Sequence, residues 1–575
     1  MSKASISRFL AVVLALTLVG AACSDNDESG GSSNTSTTRN GDESTVPTTD
    51  NAEVTLGGTL YVGLEAETNS WKPGEGSFSN PGVMVALAIY DPIAYRGADG
   101  DIHPYLAESI EPNDDLTEWT INLRENVKFH DGTALTAEVM KTIFDEFLSA
   151  PGSNLSNAAQ VDEVRVDDTL TYTYVLHQGS AAFPDLLAGA MGWPFSPEAC
   201  RAAGDNCGSQ PVGTGPFKLQ SWARDADLVV VKNDDYWRTD ENGVQLPYLD
   251  KVVFRALPDE DSRLQSVRAG DVQLGQSLRQ GPIRQALAAE EAGELKVYFT
   301  VGNSSGSSII NTAVPPTNDV RIRRALAFAL DQDALVAILD GTGISPPQTQ
   351  YFSSESPWYS EKVAAAWPTN QPDKARELLD EYVNDPERSD GKASGAPVEI
   401  DFMCPPDPTL IQVAQGYQQL WTDVGFEVTL EQVDNPTQIS RAVGSADTDP
   451  PYVGNYMITC WRNGGESDPY TTLYTQFSDP AITPGNVTNY HSDYVDEQLE
   501  ILRSNADFNV RYEAVENIMM DFAENVPNTW TGATANALYS TNKVHNVAGW
   551  TLPGGIEGRG AAGAVTFVSQ IWMDK

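Results

Sequence analysis

The chain has 575 residues, a length that corresponds to about three to five domain-sized units. Hydrophobic residues make up 41% of it, which excludes disorder over most of its length. Its 80 acidic and 36 basic residues give a formal net charge of −44, and such a surface repels phosphate backbones. We therefore expect no nucleic-acid partner.

The first residues have the pattern of a signal peptide. Lys3 and Arg8 precede an apolar run over residues 9–22. As a helix this run would span about 21 Å, which is short of a hydrocarbon core of about 30 Å. Residues 1–22 are therefore predicted to be a secretion signal rather than a transmembrane helix.

Cys23 directly follows that run and a group of small residues that includes Gly20. This arrangement resembles the lipobox of bacterial lipoproteins, although Gly20 stands where those proteins usually have Leu. The resemblance implies that Cys23 is lipidated and becomes the first residue of the mature protein. An ordinary secretory signal that is cut near the same place is the alternative.

Residues 24–51 consist mainly of Ser, Thr, Asn, Asp and Gly, with Val46 as the one large apolar residue. Such a segment buries too little surface to offset the entropy of ordering it. We therefore predict that residues 23–55 are a lipidated cysteine and a disordered tether. A flexible coil of this length reaches about 30 Å, enough to hold a folded domain near a membrane.

Four further cysteines allow three disulfide pairings. Cys200 and Cys207 lie in one polar loop, where a local disulfide is sterically easy. Cys404 and Cys460 each end a short apolar run, so their sulfurs would meet if those runs are neighbouring strands. Buried free thiols are the alternative. We expect no metal site and no cofactor, because CxxC and HxxxH spacings do not occur.

The remaining chain predicts an α/β fold. Short alternating strands begin at residues 57–62 and recur through about residue 305. From Asp319 the pattern changes to amphipathic helices with acidic starts. A strand, a helix and a strand then follow one another over residues 399–433, which is the succession of a parallel βαβ unit.

Several motifs, taken in order, resemble those of the extracellular solute-binding proteins of family 5, which serve peptide and nickel ABC importers. The resemblance covers nearly all of residues 56–575. The segments that carry it are LAESIEPNDDLTEWTINLRENVKFHDGTALTAEVM (106–140), GTGPFKL (213–219), KNDDYW (232–237), PYLDKVVFRALPDEDSRLQSVRAGDV (247–272), DVRIRRALAFALDQDAL (319–335) and the Asp-Pro step at 468–469.

This resemblance implies a two-lobed clamp of the periplasmic-binding-protein-like type II fold, which encloses its ligand where the lobes meet. It also implies strands that cross between the lobes near residues 306–313 and 524–532. The expected parts are lobe I at 56–305 with an inserted subdomain at about 101–211, lobe II at 306–527, and a return to lobe I at 528–575.

Candidate ligand contacts lie at the expected hinge and lobe edges. The segment 459–470 leaves an apolar strand and enters a Gly-rich loop, which is where sites form in α/β sheets. Tyr and Trp are included because they combine a large contact area with a polar group, although half-buried core is the alternative for each. The candidates are Asn311, Tyr351, Trp461, Arg462, Asn463, Glu466, Asp468 and Trp530.

Peptide-binding relatives tend to place an Asp three residues after the Trp of this segment, where it holds the ammonium group of the peptide. Here that residue is Gly464. Glu466 or Asp468 would then have to supply the carboxylate, unless Asp468 only caps a helix before Pro469. Arg462, if it points inward, would favour an anionic group.

The resemblance implies a binding protein rather than an enzyme. We expect a lipid-anchored monomer at the outer face of the cytoplasmic membrane, which captures a peptide or similar small polar solute and delivers it to ABC permease subunits. An oligosaccharide or a metal chelate is the alternative ligand. A sensor or chaperone on the same scaffold, or a secreted hydrolase, is the alternative function.

Overall fold

The computed structural model describes residues 54–76, 78–149, 161–443, 453–462, 468–481, 483 and 485–575. Cys23, Asn463 and Glu466, which the sequence singles out, lie outside the described residues. Of Arg462 the main chain is described.

The described elements are numbered in chain order. The strands are β1 (Thr59–Leu64), β2 (Ala94–Arg96), β3 (Ile102–Pro104), β4 (Ala107–Pro112), β5 (Glu118–Leu123), β6 (Val161–Val166), β7 (Thr171–Leu176), β8 (Phe217–Trp222), β9 (Asp227–Lys232), β10 (Lys251–Ala256), β11 (Leu274–Ser277), β12 (Leu295–Ile310), β13 (Glu399–Cys404), β14 (Glu427–Gln432), β15 (Ile458–Arg462), β16 (Asn528–Thr541), β17 (Val544–His545) and β18 (Trp572–Met573). The helices are α1 (Asn80–Ile89), α2 (Ala137–Ser149), α3 (Phe183–Leu186), α4 (Pro197–Ala203), α5 (Glu260–Ala269), α6 (Gln280–Glu291), α7 (Val320–Phe328), α8 (Gln332–Ile338), α9 (Glu361–Ala366), α10 (Pro372–Val383), α11 (Pro408–Val424), α12 (Asn435–Ala442), α13 (Pro469–Phe477), α14 (Asp493–Ser504) and α15 (Phe508–Asn525).

A ten-stranded sheet has the order β14-β13-β15-β12-β16-β11-β1-β10-β9-β8. Its two longest strands, β12 and β16, are antiparallel and pair from Leu295 opposite Thr541 to Ile309 opposite Asn528. They separate a group of three strands on one side from a group of five on the other. The chain therefore passes between two halves of the molecule along β12 and β16.

The α/β character predicted from the sequence is confirmed. Asp319 and Asp331 cap α7 and α8, accepting hydrogen bonds from the N–H groups of Arg321 (2.8 Å) and Ala334 (3.0 Å). The predicted βαβ unit is formed by β13, α11 and β14, and its two strands pair in parallel. A separate antiparallel sheet, β4-β5-β7-β6, lies within the segment expected to be an inserted subdomain.

Buried hydrophobic side chains form two large clusters. One contains α1, the four-stranded sheet and the C-terminal residues up to Ile571. The other extends from Ile310 to Trp530 and also takes in Ala182, which is far away in sequence. Each half of the ten-stranded sheet is thus covered by its own core, which is what burial of apolar area on both faces requires.

Two of the family-like motifs meet at a buried carboxylate. Asp91 accepts hydrogen bonds from the Tyr236 hydroxyl (2.8 Å), the Trp237 indole N–H (2.9 Å) and the Thr214 hydroxyl (3.1 Å). Burial raises the pKa of Asp91 to about 6, although these hydrogen bonds lower it. The motifs GTGPFKL and KNDDYW therefore act here as structural elements of the core.

Both disulfide pairings considered from the sequence occur. Cys200 pairs with Cys207 across 7 residues, at the end of α4. Cys404 pairs with Cys460 across 56 residues, and joins the end of β13 to the middle of the neighbouring strand β15. The second bond therefore closes a much longer loop of the unfolded chain.

Because loop-closure entropy grows with loop length, we expect the Cys404–Cys460 bond to contribute more to stability. Replacing both of these cysteines with Ala should lower the free energy of unfolding by about 4 kcal/mol in the chain-entropy model. The matched double variant Cys200→Ala/Cys207→Ala should lose about 2.5 kcal/mol. Urea unfolding under oxidising conditions measures both values, and equal losses or a reversed order would contradict the expectation.

Candidate ligand-binding site

A cavity of about 420 Å³ opens where β12 and β16 run side by side; we call it the crossing cavity. Its wall is formed by both strands, by the loop before α1, by α8, by the first turns of α11 and by Trp461. These elements come from both halves of the large sheet. A solute in this cavity would therefore contact both halves at once.

The strand residues that line the crossing cavity are small and polar. Residues 302–308 of β12 read GNSSGSS, and Gly and Ser are poor strand formers because they bring little side chain to pack. The pairing of β12 with β16 shifts register between Val301 and Ser305 and again between Ser305 and Ser307. Both irregularities lie in this polar stretch, and Asn303, Ser304, Ser307 and Ser308 line the cavity around them.

Charge in the described wall of this cavity is confined to one side chain, Arg279. Its Nη2 lies 3.2 Å from Oδ2 of Asp407, and both side chains are partly buried. Asp407 also caps α11, accepting hydrogen bonds from the N–H groups of Thr409 (2.9 Å) and Leu410 (3.1 Å). The ion pair thus links the start of α6 to the start of α11, across the two halves of the sheet.

A second cavity, of about 1020 Å³, also borders Asn303 of β12 but is lined by charged side chains. Arg511 donates to both carboxylate oxygens of Asp468, at 2.6 and 2.7 Å. Arg96 forms an ion pair with Asp185, and Asp185 accepts the main-chain N–H of Asp468 at 2.8 Å. Burial raises the pKa of Asp185, although Arg96 lowers it.

Two of the predicted ligand contacts border a cavity. Trp461 is half-buried, pairs with Ser307 across β15 and β12, and lines the crossing cavity. Asp468 lines the second cavity, where it binds Arg511 and caps α13 through the N–H of Tyr470 (2.9 Å). The capping role considered from the sequence is therefore present.

Other predicted contacts lie in the protein interior. Asn311 is fully buried, donates to the carbonyls of Val453 (3.0 Å) and Tyr456 (3.1 Å), and accepts from the N–H of Ala313 (3.1 Å). These bonds fix the chain as it leaves β12 and leave the amide little capacity for a ligand.

Trp530 and Tyr351 are also buried, and their rings pack against each other with centroids 5.9 Å apart. Trp530 packs against Trp367 as well, at 5.9 Å. Both residues belong to the hydrophobic cluster of the second half. Both residues therefore occupy core positions, which was the alternative that the sequence left open.

The polar strand residues and the Arg279–Asp407 pair are not among the contacts predicted from the sequence. The signal for the first was available, because a run such as GNSSGSS is unusual in a strand and often marks close approach of another group. The pair had no such signal, since its members are 128 residues apart.

The segment GNSSG at 302–306 also matches the GxSxG pattern of serine hydrolases. In those enzymes the serine lies on a sharp turn between a strand and a helix. Here the whole segment lies within β12, so Ser304 is part of an extended strand. The match therefore gives no support for hydrolysis.

Over the described parts of the chain, no helix combines the length and hydrophobicity needed to cross a bilayer. The same residues contain no group of three or more His, Cys, Asp or Glu side chains that could hold a metal ion.

Comparison with known proteins agrees with this architecture. The glutathione-binding protein GsiB of Escherichia coli K12 is 26% identical over 486 residues, which cover 82% of this chain and 87% of that protein. The structure of AgaA from A. tumefaciens in complex with agropinic acid has a TM-score of 0.72 and 23% identity, covering 90% of this chain and 99% of that one. AppA from Bacillus subtilis in complex with a nonapeptide has a TM-score of 0.72 and 20% identity, covering 91% and 100%.

The model of one protein family matches residues 101–483, which is about two thirds of the chain. That family is described as bacterial extracellular solute-binding proteins, family 5. The matched region contains β12, β13, β15, α11 and most of the motifs that carry the resemblance in sequence. The chain therefore belongs to the family 5 bacterial extracellular solute-binding proteins.

Proposed function

We propose that the protein is a lipid-anchored receptor outside the cytoplasmic membrane, which captures a small polar solute by closure of two lobes. It then delivers the solute, chemically unaltered, to the permease of an ABC importer. The crossing cavity carries this proposal, because its wall combines elements from both halves of the large sheet. A solute that touches both halves binds the closed form better than an open one.

Binding of a solute can supply the free energy that closure of the lobes requires. Shifting a two-state protein from 1% to 99% closed needs about 5.5 kcal/mol of differential affinity. Binding with micromolar affinity supplies about 8 kcal/mol in total. Contacts such as Arg279 with Asp407, and the Asp468 N–H with Asp185, would add to the stability of the closed form.

The relatives support a polar ligand of modest size. GsiB is named for glutathione, and the structures of AgaA and AppA are complexes with agropinic acid and a nonapeptide. A peptide, an oligosaccharide and a metal chelate are the ligand classes considered for the proposed receptor.

We expect the purified protein to retain or take up a solute that unfolding releases intact. Mass spectrometry of the released material identifies this solute, and small-angle scattering should show a smaller radius of gyration when it is bound. An unchanged scattering profile with every solute pool tested, or a chemically altered solute, would contradict the proposal.

The Arg279–Asp407 pair should favour the closed form. Replacing Arg279 with Gln, or Asp407 with Asn, which keeps the helix cap, should weaken solute binding about two- to fivefold, since partly exposed pairs contribute little. Calorimetry measures the dissociation constants, and the double variant should be no weaker than either single one.

Arg268→Gln is the matched control for that pair. Arg268 bonds Glu294 at 2.6 Å, and both residues lie within the segment expected to form lobe I. Its removal should leave the affinity for solute unchanged. Equal losses in the Arg268 and Arg279 variants would show that the Arg279–Asp407 pair has no part in closure.

Lipid attachment is proposed at Cys23. In cells fed a labelled fatty acid, the protein should carry the label and sediment with membranes. Cys23→Ala should lose the label and appear in the soluble fraction, because the residue that carries the acyl chains is then absent. Labelling that persists in Cys23→Ala would place the anchor elsewhere.

A further inference from the structure

The crossing cavity offers few means of compensating a buried charge. A free peptide brings an ammonium and a carboxylate group, and each costs several kcal/mol to bury without an oppositely charged partner. In the described wall, Arg279 is the one charged side chain, and Asp407 already pairs with it. This wall therefore disfavours ligands with charged ends.

The same wall combines apolar side chains with neutral hydrogen-bonding groups. Ser304 on β12 and Asn536 on β16 are 2% and 6% exposed, and both line the cavity. Within the described structure neither side chain has a hydrogen-bond partner, nor does that of Asn303. These three side chains border the cavity, so a ligand that bonds to them gains hydrogen bonds there.

Hydroxyl and amide groups both donate and accept hydrogen bonds. The hydroxyl groups of a saccharide or polyol have the same double capacity, so they match such a wall without any need for charge. By contrast, an ammonium group only donates and a carboxylate only accepts, and both need compensation when they are buried.

Aromatic rings complete the cavity. The half-buried Trp461 and the partly buried Phe78 both belong to its wall. Such rings present a broad apolar face with little conformational entropy to lose, and the C–H face of a sugar ring packs on them. A volume of about 420 Å³ is within the usual range of small-molecule sites.

We infer that the crossing cavity takes an uncharged, polyhydroxylated solute, a small saccharide or polyol, in preference to a peptide with free ends. This inference rests on the proposed receptor function and selects among the ligands compatible with it. Asn303, Ser304 and Asn536 supply the hydrogen bonds, and Trp461 supplies the stacking surface.

Calorimetry with the purified chain tests this inference with four sets of probes. These are neutral saccharides (maltose and maltotriose), a polyol (mannitol), trialanine with free ends, and trialanine that is acetylated and amidated. We expect a saccharide or the polyol to bind, and the free peptide to bind at least tenfold more weakly. Binding of the free peptide without binding of any saccharide or polyol overturns the inference.

Two variants locate the site. Trp461→Ala and Asn536→Ala should each weaken binding of the neutral solute, Asn536→Ala by about three- to tenfold for a lost hydrogen bond. Asn542→Ala is the matched control, because Asn542 lies just beyond β16 and donates to the carbonyl of Gly293 at 2.9 Å. Circular dichroism confirms that each variant is folded. Equal effects of Asn536→Ala and Asn542→Ala would overturn the assignment of this site.

The failure of this inference is distinguishable from failure of the receptor function. If peptides or metal chelates bind and change the scattering profile while saccharides do not, the ligand class is wrong and the receptor function stands. If no probe and no copurifying solute binds, both are wrong.

Discussion

The antiparallel pairing of β12 with β16 is the constraint on which the rest of the structure depends. The ladder runs from Leu295 opposite Thr541 to Ile309 opposite Asn528 in the middle of a ten-stranded sheet. Main-chain hydrogen bonds hold these two strands together whatever side chains they carry. They connect two separately packed cores, so the two halves of the molecule meet along this pair of strands.

That independence from side chains explains how a central strand tolerates the sequence GNSSGSS. Small residues contribute little packing, but they leave room for a ligand against the main chain. Neighbouring residues compensate for the lost packing: Trp530 and Tyr351 fill the core nearby, and Asn311 ties the end of β12 to the main chain around residue 453. Stability and an open cavity are thus provided by different residues in and around the same two strands.

The net charge of the chain says little about the charge at its cavities. The chain carries a formal charge of −44, yet at the second cavity Arg96 is paired with Asp185 and Arg511 with Asp468. The described wall of the crossing cavity combines apolar and neutral polar side chains with one charged side chain, Arg279, which is paired with Asp407. The net charge therefore bears on solubility and long-range attraction, whereas the ligand preference depends on a few uncharged side chains.

Much of this protein follows from its sequence by itself. Periodicity and capping residues located α7, α8 and the βαβ unit, and motif order indicated the family, because these features depend on residues close together in the chain. The sequence favoured the local Cys200–Cys207 bond, whereas the Cys404–Cys460 bond depended on two strands being neighbours, which the fold decided. The tertiary structure alone decided which side chains face a cavity. A shift of one residue in a strand turns every side chain to the other face, so local sequence patterns do not decide that Ser307 and Ser308 line the wall while Trp530 and Asn311 are buried.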